Sequence, residues 1–405
     1  MKRLIAVLLS VLVLFSVCGA SGEDPYDAGM EAYQAGDYEK AAEYFREAAE
    51  QGNVRAQVNL GQMYRSGQGV EQSYEKSAEY YRMAAEQGNA NAQHNLGVMY
   101  WQGIGVEQSD EKAAEYFALA ADQGMAEAQT NLGLMYLDGI GVNQSYEQAA
   151  RYFGMAADQG VALAQFNMGV IFFEGEGAEQ SYEKAAEYYR LAADQGYTNA
   201  QNNLAYMYEQ GLGVEQSYEK AAEYYRLAAD NGFLPSQHNL ALMYEKGIGV
   251  EQSDEKAAYY YGLAADQGDA GSQYSLGLMY DQGKGVKQSY EEAARWYTLA
   301  AGQGNANAQF GLGFLYYTGQ GVEQSYEKAA AYFLMAAEQG NTWALYNMAV
   351  LYQYGEGVGQ SYETAADYYW TAAQGGNREA KDRLDELYAQ GLLPEDYVPV
   401  MKIAK

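Results

Sequence analysis

Residues 92–127 read AQHNLGVMYWQGIGVEQSDEKAAEYFALAADQGMAE, and close variants of this stretch make up most of the chain. Its opening phrase returns in steps of 36 residues from residue 56 to residue 344, without an insertion or a deletion. Nine full units therefore cover residues 56–379, with a shortened unit before them and a truncated one after them. A fixed period of this length is typical of a solenoid, in which short structural units stack side by side.

Each unit carries the signals of two helices joined by a glycine turn. The apolar residues of 92–100 recur at i, i+4, i+7 and i+8, which is one face of a helix. Gly103 and Gly105 interrupt the pattern, Ser109 is a helix N-cap residue followed by acids, and Gly124 can end the second helix in a left-handed conformation. One hairpin cannot bury both of its faces, so neighbouring hairpins must stack. The sequence predicts an all-α solenoid of stacked helix-turn-helix repeats with a period of 36.

The repeated phrase resembles the Sel1-like repeat, a relative of the tetratricopeptide repeat. The shared pattern is A-x-x-x-L-G-x-M-Y-x-x-G-x-G-V followed by E-K-A-A-x-Y-Y-x-x-A-A-x-x-G, and residues 200–235 match it with Ala205 in place of the first glycine. The resemblance implies a right-handed α-solenoid that is used for protein–protein interaction, often outside the cytoplasm. It does not imply a single partner.

The N-terminus has the order of a cleavable signal peptide. Lys2 and Arg3 precede a largely apolar run over residues 4–17, and the small residues 18–22 follow. We predict cleavage after Ala20. The predicted domains are a signal peptide at 1–20, an N-terminal capping half-repeat at 21–55, nine repeats at 56–379, and a C-terminal capping helix and tail at 380–405.

Cys18 offers an alternative to cleavage after residue 20, as the lipidated first residue of a bacterial lipoprotein. Against this alternative, the bulky Val17 stands where a small residue is preferred. Both versions predict an exported protein. In a bacterium it would be periplasmic or extracellular, and in a eukaryote it would be in the secretory lumen or extracellular.

Composition argues against several classes of partner and site. The 405 residues include 25 Lys+Arg and 54 Asp+Glu, and the formal net charge of −29 argues against nucleic acid and against an anionic membrane surface. With 2 His and 1 Cys, the chain has few ligands for zinc, haem or thiol chemistry, so we expect no metal and no cofactor. No stretch after residue 20 approaches about 18 apolar residues, so we predict no membrane span.

Two motifs resemble catalytic signatures but recur with the repeat. Ser-x-x-Lys, as at Ser109 and Lys112, has the spacing of nucleophile and base in penicilloyl serine enzymes, and it occurs in six of the nine units. A helix N-cap with a solvated lysine explains it, and the Gly-x-Gly loops are explained as turns because they follow helices. A cysteine-rich branch of Sel1-like proteins has been linked to β-lactam binding, but this chain lacks that branch's paired cysteines. We predict that the protein is not an enzyme.

The residues that vary between units lie on one face of the first helix. Positions 3, 7 and 10 of each unit are spaced i, i+4 and i+7, and this face differs from the one that carries the repeated Leu and Tyr. In tetratricopeptide-like stacks the corresponding face lines the concave groove. Large aromatic residues there indicate recognition, and partial burial by the superhelix is the alternative explanation. The predicted partner-binding residues, with Trp343 just before this face, are Trp101, Phe166, Phe173, Tyr274, Phe310, Phe314, Tyr317, Trp343 and Tyr346.

An asparagine series lies one residue after the third position of most units. Such a series could hold the backbone of an extended ligand, or it could tie one helix to a neighbouring carbonyl, and the sequence leaves both explanations open. Its members are Asn59, Asn95, Asn131, Asn167, Asn203, Asn239 and Asn347.

The sequence favours an exported, non-enzymatic scaffold that binds a protein or peptide partner in its concave groove. Two alternatives stay open: a scaffold for envelope polysaccharide export, which is a role of some Sel1-like lipoproteins, and a β-lactam-directed hydrolase. The residues do not determine the oligomeric state.

Overall fold

The computed structural model describes residues 24–401, and within them it contains twenty-one α-helices and no strand. This confirms the predicted all-α fold of tandem helical hairpins with a period of 36. The predicted signal peptide at 1–20, its cleavage site and Cys18 lie outside the described residues. The chain divides into two compact units, one ending at Ala164 and the other beginning at Gln165.

Helices alternate between the two members of each hairpin. Odd-numbered helices are called helix A below, and even-numbered helices are called helix B. The first unit contains α1 (Pro25–Gln34), α2 (Tyr38–Glu50), α3 (Val54–Ser66), α4 (Tyr74–Glu86), α5 (Ala90–Gln102), α6 (Asp110–Asp122), α7 (Ala126–Asp138) and α8 (Tyr146–Asp158). The boundary falls within α9 (Ala162–Glu174). The second unit continues with α10 (Tyr182–Asp194), α11 (Thr198–Gln210), α12 (Tyr218–Asp230), α13 (Leu234–Lys246), α14 (Asp254–Asp266), α15 (Ala270–Gln282), α16 (Tyr290–Gly302), α17 (Ala306–Thr318), α18 (Tyr326–Glu338), α19 (Thr342–Tyr354), α20 (Tyr362–Gln374) and α21 (Arg378–Ala389).

A small residue in helix A makes room for a large ring in helix B of the same hairpin. A Cβ atom added to Gly97 would lie 2.8 Å from Cδ1 of Phe117, which is buried. Gly29 faces Phe45 in the same way, at 2.7 Å, so the first hairpin shares this interior. The mid-helix glycine therefore offsets its low helix propensity by permitting close packing of the ring.

Side chains satisfy the backbone groups at the helix ends. Ser109 Oγ accepts a hydrogen bond from the Lys112 backbone N–H at 3.3 Å, which caps the start of helix B. Helix A ends at Gly103, whose φ of +68° is left-handed. The Gln108 amide then donates to the Trp101 carbonyl at 3.0 Å. Each half of the repeated Gln-Ser pair thus stabilises a different helix end.

The second glycine of each turn allows one hairpin to approach the preceding one. Gly105 has a φ of +70°, and a Cβ atom there would overlap the backbone carbonyl of Tyr74 at the start of the preceding helix B. Only glycine combines this conformation with this approach. The repeat therefore fixes the stacking of its neighbours through backbone contacts as well as side chains.

A buried glutamine links three successive helices. Gln93 in α5 is 4% exposed, and its amide nitrogen donates to the Ala85 carbonyl of α4 at 3.2 Å. Its Oε1 accepts from the Gln123 amide after α6 at 2.7 Å. At α11 the chain departs from this pattern, because Asn231 replaces the second glutamine and its amide instead donates to the Leu227 carbonyl of its own helix.

The C-terminal tail packs against α20. Leu393 is buried, and the Tyr397 hydroxyl donates to Asp367 Oδ1 at 2.5 Å and lies 2.9 Å from the Glu363 carbonyl oxygen. The Val400 N–H donates to the same carboxylate oxygen at 2.8 Å. These contacts fasten the tail to the last full hairpin, and the capping role assigned to residues 380–405 stays a prediction.

Candidate partner-binding surface

Six aromatic residues of α15, α17 and α19 are called the aromatic surface below. It combines rings from three consecutive helix A elements, all within the second unit. Its members are Tyr274, Phe310, Phe314, Tyr317, Trp343 and Tyr346.

The rings at position 3 of the units are Tyr274, Phe310 and Tyr346. Each is anchored on the buried ring of helix B in its own hairpin. These side chains are half-buried. They pack inside the hairpin and also present part of the ring, and their role in recognition stays a prediction. The ring-centroid distances are 5.9 Å for Tyr274 and Tyr297, 5.8 Å for Phe310 and Phe333, and 5.5 Å for Tyr346 and Tyr369.

Phe314 and Trp343 are the most exposed rings of the aromatic surface. Phe314 is 42% exposed and lies 6.4 Å from Phe310 between ring centroids. Trp343 is 48% exposed and contacts Tyr346 edge to face at 6.0 Å. Each exposed ring thus rests on an anchored ring, an arrangement that holds apolar area toward solvent with few freely rotating groups.

The remaining predicted residues lie on other helices. Phe166 of α9 lies 5.0 Å from the ring of Tyr197, and Phe173 contacts Tyr182 edge to face at 5.2 Å. Trp101, in the first unit, contacts the buried Phe117 edge to face at 6.5 Å. All three are half-buried, so each presents only part of its ring.

Position 10 of the repeat unit lies on helix A and is paired with the buried ring of helix B. Our sequence analysis missed this relation. The Tyr225 hydroxyl donates to Glu209 at 2.8 Å, and the Tyr261 hydroxyl donates to Glu245 at 2.7 Å. Where position 10 is apolar or aromatic, the buried ring is Phe in three of four full units, with Phe173 and Tyr189 as the exception. The pairs with phenylalanine are Trp101 with Phe117, Leu137 with Phe153, and Tyr317 with Phe333.

This pairing has a physical reason and a visible signal. A buried hydroxyl needs a hydrogen-bond partner, so tyrosine is retained where position 10 supplies one. The two positions are 16 residues apart in every unit, and comparing units in pairs would have found them. Burial and the nearby carboxylate of Glu209 together raise the pKa of Tyr225, so its hydroxyl stays protonated as the donor.

Titratable groups near the aromatic surface respond mainly to burial. Burial raises the pKa of Tyr274, and the adjacent Asp281 raises it further. Burial also raises the pKa of Asp281 itself, against a hydrogen bond from Tyr297 that lowers it. The pKa of Tyr317 is raised by burial and then by Glu356. The neutral forms of these tyrosine and aspartate side chains are thus favoured, although the chain as a whole is strongly acidic.

The asparagine series does not act as a uniform ladder. The Asn59 amide contacts the Met30 sulfur at 3.6 Å, Asn131 bonds His94 at 3.1 Å, and Asn347 donates to the Trp343 carbonyl of its own helix at 2.8 Å. The individual members therefore have different local partners.

The Ser-x-x-Lys motif is a helix cap, as predicted. Besides its capping bond, Ser109 Oγ donates to Glu111 at 3.1 Å. The Lys112 ammonium lies 5.0 Å above the centroid of the Tyr100 ring. Among residues 24–401, no group of three His, Cys, Asp or Glu side chains is placed to hold a metal ion.

The Sel1 repeat family model matches the chain in ten consecutive segments. They are residues 26–53, 54–89, 90–125, 126–161, 162–197, 198–233, 234–269, 270–305, 306–341 and 344–377. The chain belongs to the Sel1 repeat family. The first Sel1 repeat, 26–53, is the α1–α2 hairpin, which has the shortest turn and the same glycine-to-ring contact as most of the others.

Two solved Sel1-type structures are similar over most of their length. One is c5321, a protective antigen present in uropathogenic Escherichia coli strains that displays an SLR fold, with 28% identity, 94% of this chain and 97% of that chain covered, and a TM-score of 0.65. The other is a Sel1 repeat protein from Oxalobacter formigenes, with 34% identity, 80% and 93% covered, and a TM-score of 0.58. No curated protein sequence matches the chain.

Sel1 solenoids generally serve as protein-interaction scaffolds and are typically non-catalytic. Across residues 24–401, no helix combines the length and apolar content that a membrane crossing requires.

Proposed function

We propose that the protein is an exported, non-enzymatic scaffold that binds a polypeptide segment along the aromatic surface, in the concave groove of the solenoid. The observation that carries this proposal is the pair of exposed rings, Phe314 and Trp343, each resting on an anchored ring. Such aromatic residues dominate binding energy at protein interfaces. The exposed parts of these two rings do not belong to the packed interior of the hairpins.

The spacing of the helices suits an extended peptide. Successive helices in a stack are about 8–10 Å apart. A segment in the polyproline II conformation has three residues per turn and advances about 3.1 Å per residue, so every third side chain would lie on one face and meet the next anchored ring. The net charge of −29 favours a neutral or basic segment on encounter.

Export rests on the basic and apolar N-terminal segment of residues 1–22. In a bacterium the protein would be periplasmic or extracellular. Fractionation of cells that express the full chain tests this, and recovery only in the cytoplasm with residues 1–20 intact would contradict it.

Site-specific photo-cross-linking tests the binding surface. A photoreactive phenylalanine analogue would replace Phe314 or Trp343 on helix A, and separately Leu299 or Met335 on helix B. These controls are 46% and 43% exposed, so the two sets match in exposure and apolar character. We expect one polypeptide to cross-link through both helix A positions and not through the helix B positions.

Mass spectrometry of the adduct would identify the partner and the segment in contact. Equal adducts from both faces would contradict the assignment of the aromatic surface. Adducts from helix B alone would move the binding site to the other side of the hairpins.

A further inference from the structure

A cleft on helix B of the α13–α14 hairpin has no role in the proposed groove. Its volume is about 470 Å³. One wall is a single face of α14, where Glu255, Tyr259, Gly262 and Asp266 follow one another at i, i+4, i+7 and i+11. Across the cleft lie Tyr280 of α15 and Trp296 of α16, with the turn at 285–286 closing one end.

The same groove recurs six repeats earlier, and there it is lined by an arginine. On α2 the equivalent residues are Glu39, Ala42 and Arg46, and the turn at 69–70 closes the groove as 285–286 does. Arg46 occupies the position of Gly262. Its Nη2 donates to the Tyr64 hydroxyl, the equivalent of Tyr280, at 3.5 Å.

Two further hairpins place an arginine in the same way. Arg82 donates to the Tyr100 hydroxyl at 3.4 Å, and Arg190 donates to the Tyr208 hydroxyl at 3.3 Å. Arg226 of α12 is the fourth arginine at this position. In three of the four hairpins, a planar guanidinium thus donates to the tyrosine of the next helix A, which shows the chemistry that this groove accepts.

The α14 cleft keeps the surroundings of that arginine and lacks the side chain. A Cβ atom on Gly262 would have only Leu276 Cδ2, at 4.0 Å, as a neighbour. Tyr259, which is 61% exposed, replaces the acid found at the α2 position and adds a ring to the wall. Asp266 and Glu255 supply carboxylates, and Glu255 also accepts from Ser253 at 3.1 Å.

Two cations of the neighbouring helices, Lys256 and Arg295, are held by their own partners. The Lys256 ammonium lies 5.0 Å above the Tyr244 ring. Arg295 lies 4.7 Å above the Trp296 ring and forms an ion pair with Glu292 at 3.1 Å. Lys284 and Lys287 flank the turn at 285–286. Among residues 24–401, neither Glu255 nor Asp266 forms an ion pair with a cation of the chain.

We propose that this cleft binds the guanidinium of an arginine side chain that belongs to a partner polypeptide. The Tyr280 hydroxyl accepts one guanidinium N–H, as the equivalent hydroxyls do in three of the four hairpins with an arginine at this position. Asp266 and Glu255 provide charge, and the Tyr259 ring offers a face for stacking. An ammonium lacks the planar fork, so lysine binds more weakly. The site lies on helix B, and this proposal does not depend on peptide binding at the aromatic surface.

Nuclear magnetic resonance of the full chain tests the site with acetyl-Gly-Arg-Gly-amide as the probe. The reporter is the Trp296 indole N–H, one of four tryptophan signals, assigned with a Trp296→Phe variant. For a single side chain in an open cleft we expect a Kd of about 1–10 mM. The same peptides with lysine or with uncharged citrulline should bind at least about threefold more weakly.

Gly262→Arg gives a variant that should fold, because arginine occupies this position in α2, α4, α10 and α12. Its own guanidinium would fill the cleft, and we expect peptide binding to weaken at least about tenfold. Asp266→Asn should weaken binding about threefold. Ala118→Arg, at the same position of α6, is the matched control and should leave binding unchanged. Equal binding by Gly262→Arg and the parent, or equal affinity for the arginine and citrulline peptides, would overturn the proposal.

Discussion

The hairpins α13–α14 and α17–α18 have interiors of the same kind, a small residue against a large ring, and different helix A faces. In α13–α14 the buried pair is Ala241 and Tyr261, and in α17–α18 it is Gly313 and Phe333. The faces share almost nothing: α13 presents His238, Leu242 and Glu245, whereas α17 presents Phe310, Phe314 and Tyr317.

This difference shows that separate positions determine packing and surface chemistry. Interior positions repeat because each meets a ring or a neighbouring backbone at close range. Face positions vary freely apart from one constraint, the hydroxyl of the buried ring. The Tyr261 hydroxyl needs Glu245, whereas Phe333 imposes no such demand on Tyr317.

Breaking a backbone contact of the interior should have the largest effect. Gly321 has a φ of +68°, and a Cβ atom there would overlap the carbonyl carbon of Tyr290. We expect Gly321→Ala to lower the free energy of unfolding by about 2–4 kcal/mol, measured by urea denaturation followed by circular dichroism. Gly340→Ala is the control, since its φ is +84° but nothing lies within 4 Å, and it should cost about 1 kcal/mol. Equal losses would show that the contact with Tyr290 does not matter.

Hairpins with a buried tyrosine should lose stability in alkali. Burial raises the pKa of Tyr189 to about 12. An unfolded tyrosine ionises near pH 10, so the contribution of this group is fully present below pH 10 and is lost as the pH rises toward 12. At pH 12 the loss from this group is about 2–3 kcal/mol.

The measurement is the urea midpoint between pH 8 and pH 11.5. Tyr189→Phe should flatten the decline above pH 10, because phenylalanine has no proton to lose. Tyr354→Phe, at a position that is 59% exposed, should leave the slope as in the parent. The assignment to the buried hydroxyl fails if both variants flatten the curve equally.

Adding a buried hydroxyl to the α17–α18 hairpin should test the pairing between position 10 and the buried ring. Phe333→Tyr places a hydroxyl near Tyr317 instead of an acid, and we expect a loss of about 1–2 kcal/mol. Adding Tyr317→Glu recreates the pair seen at Glu245 and Tyr261, so the double variant should recover at least about 1 kcal/mol in a mutant cycle. Additive losses would mean that the two positions vary independently.

Repairing the glutamine link should have the smallest effect. Gln201 Oε1 is buried without a hydrogen-bond partner, where other repeats supply a glutamine amide. Asn231→Gln supplies a side chain long enough for its amide to donate to Gln201 Oε1. We expect the free energy of unfolding, measured by urea denaturation, to rise by about 0.5–1.5 kcal/mol. Gln303→Asn should cause a similar loss, because it removes the 2.8 Å bond to Gln273 Oε1. A neutral result for both variants would exclude a contribution of this link to stability.

The fold was largely predictable because a strict period exposes every structural position nine times. Repetition identified the helices, the caps and the glycine turns without any single strong signal. The contact between Gly97 and Phe117 was less accessible, because a small residue indicates close approach but not which ring fills the space.

The candidate surface was predictable only in part. Variation at positions 3, 7 and 10 indicated the face, but it could not show that Tyr274 rests on Tyr297 while Phe314 stays exposed. Exposure depends on the distance to the neighbouring helix, which a single sequence does not contain. The cleft beside Gly262 was missed because a glycine inside a helix gives no sign of the groove around it.

The most direct test of the account is the affinity of the cross-linked partner segment for two matched double variants. Phe314→Ser with Trp343→Ser removes the exposed rings and leaves the anchored rings in place, whereas Leu299→Ala with Met335→Ala removes equally exposed side chains of helix B. Anchor aromatics typically contribute about 2 kcal/mol or more each, so the first variant should bind at least about tenfold more weakly with unchanged helicity. The second should bind like the parent. Full affinity in the first variant, or a matching loss in the second, would contradict the claim that the aromatic surface recognises the partner.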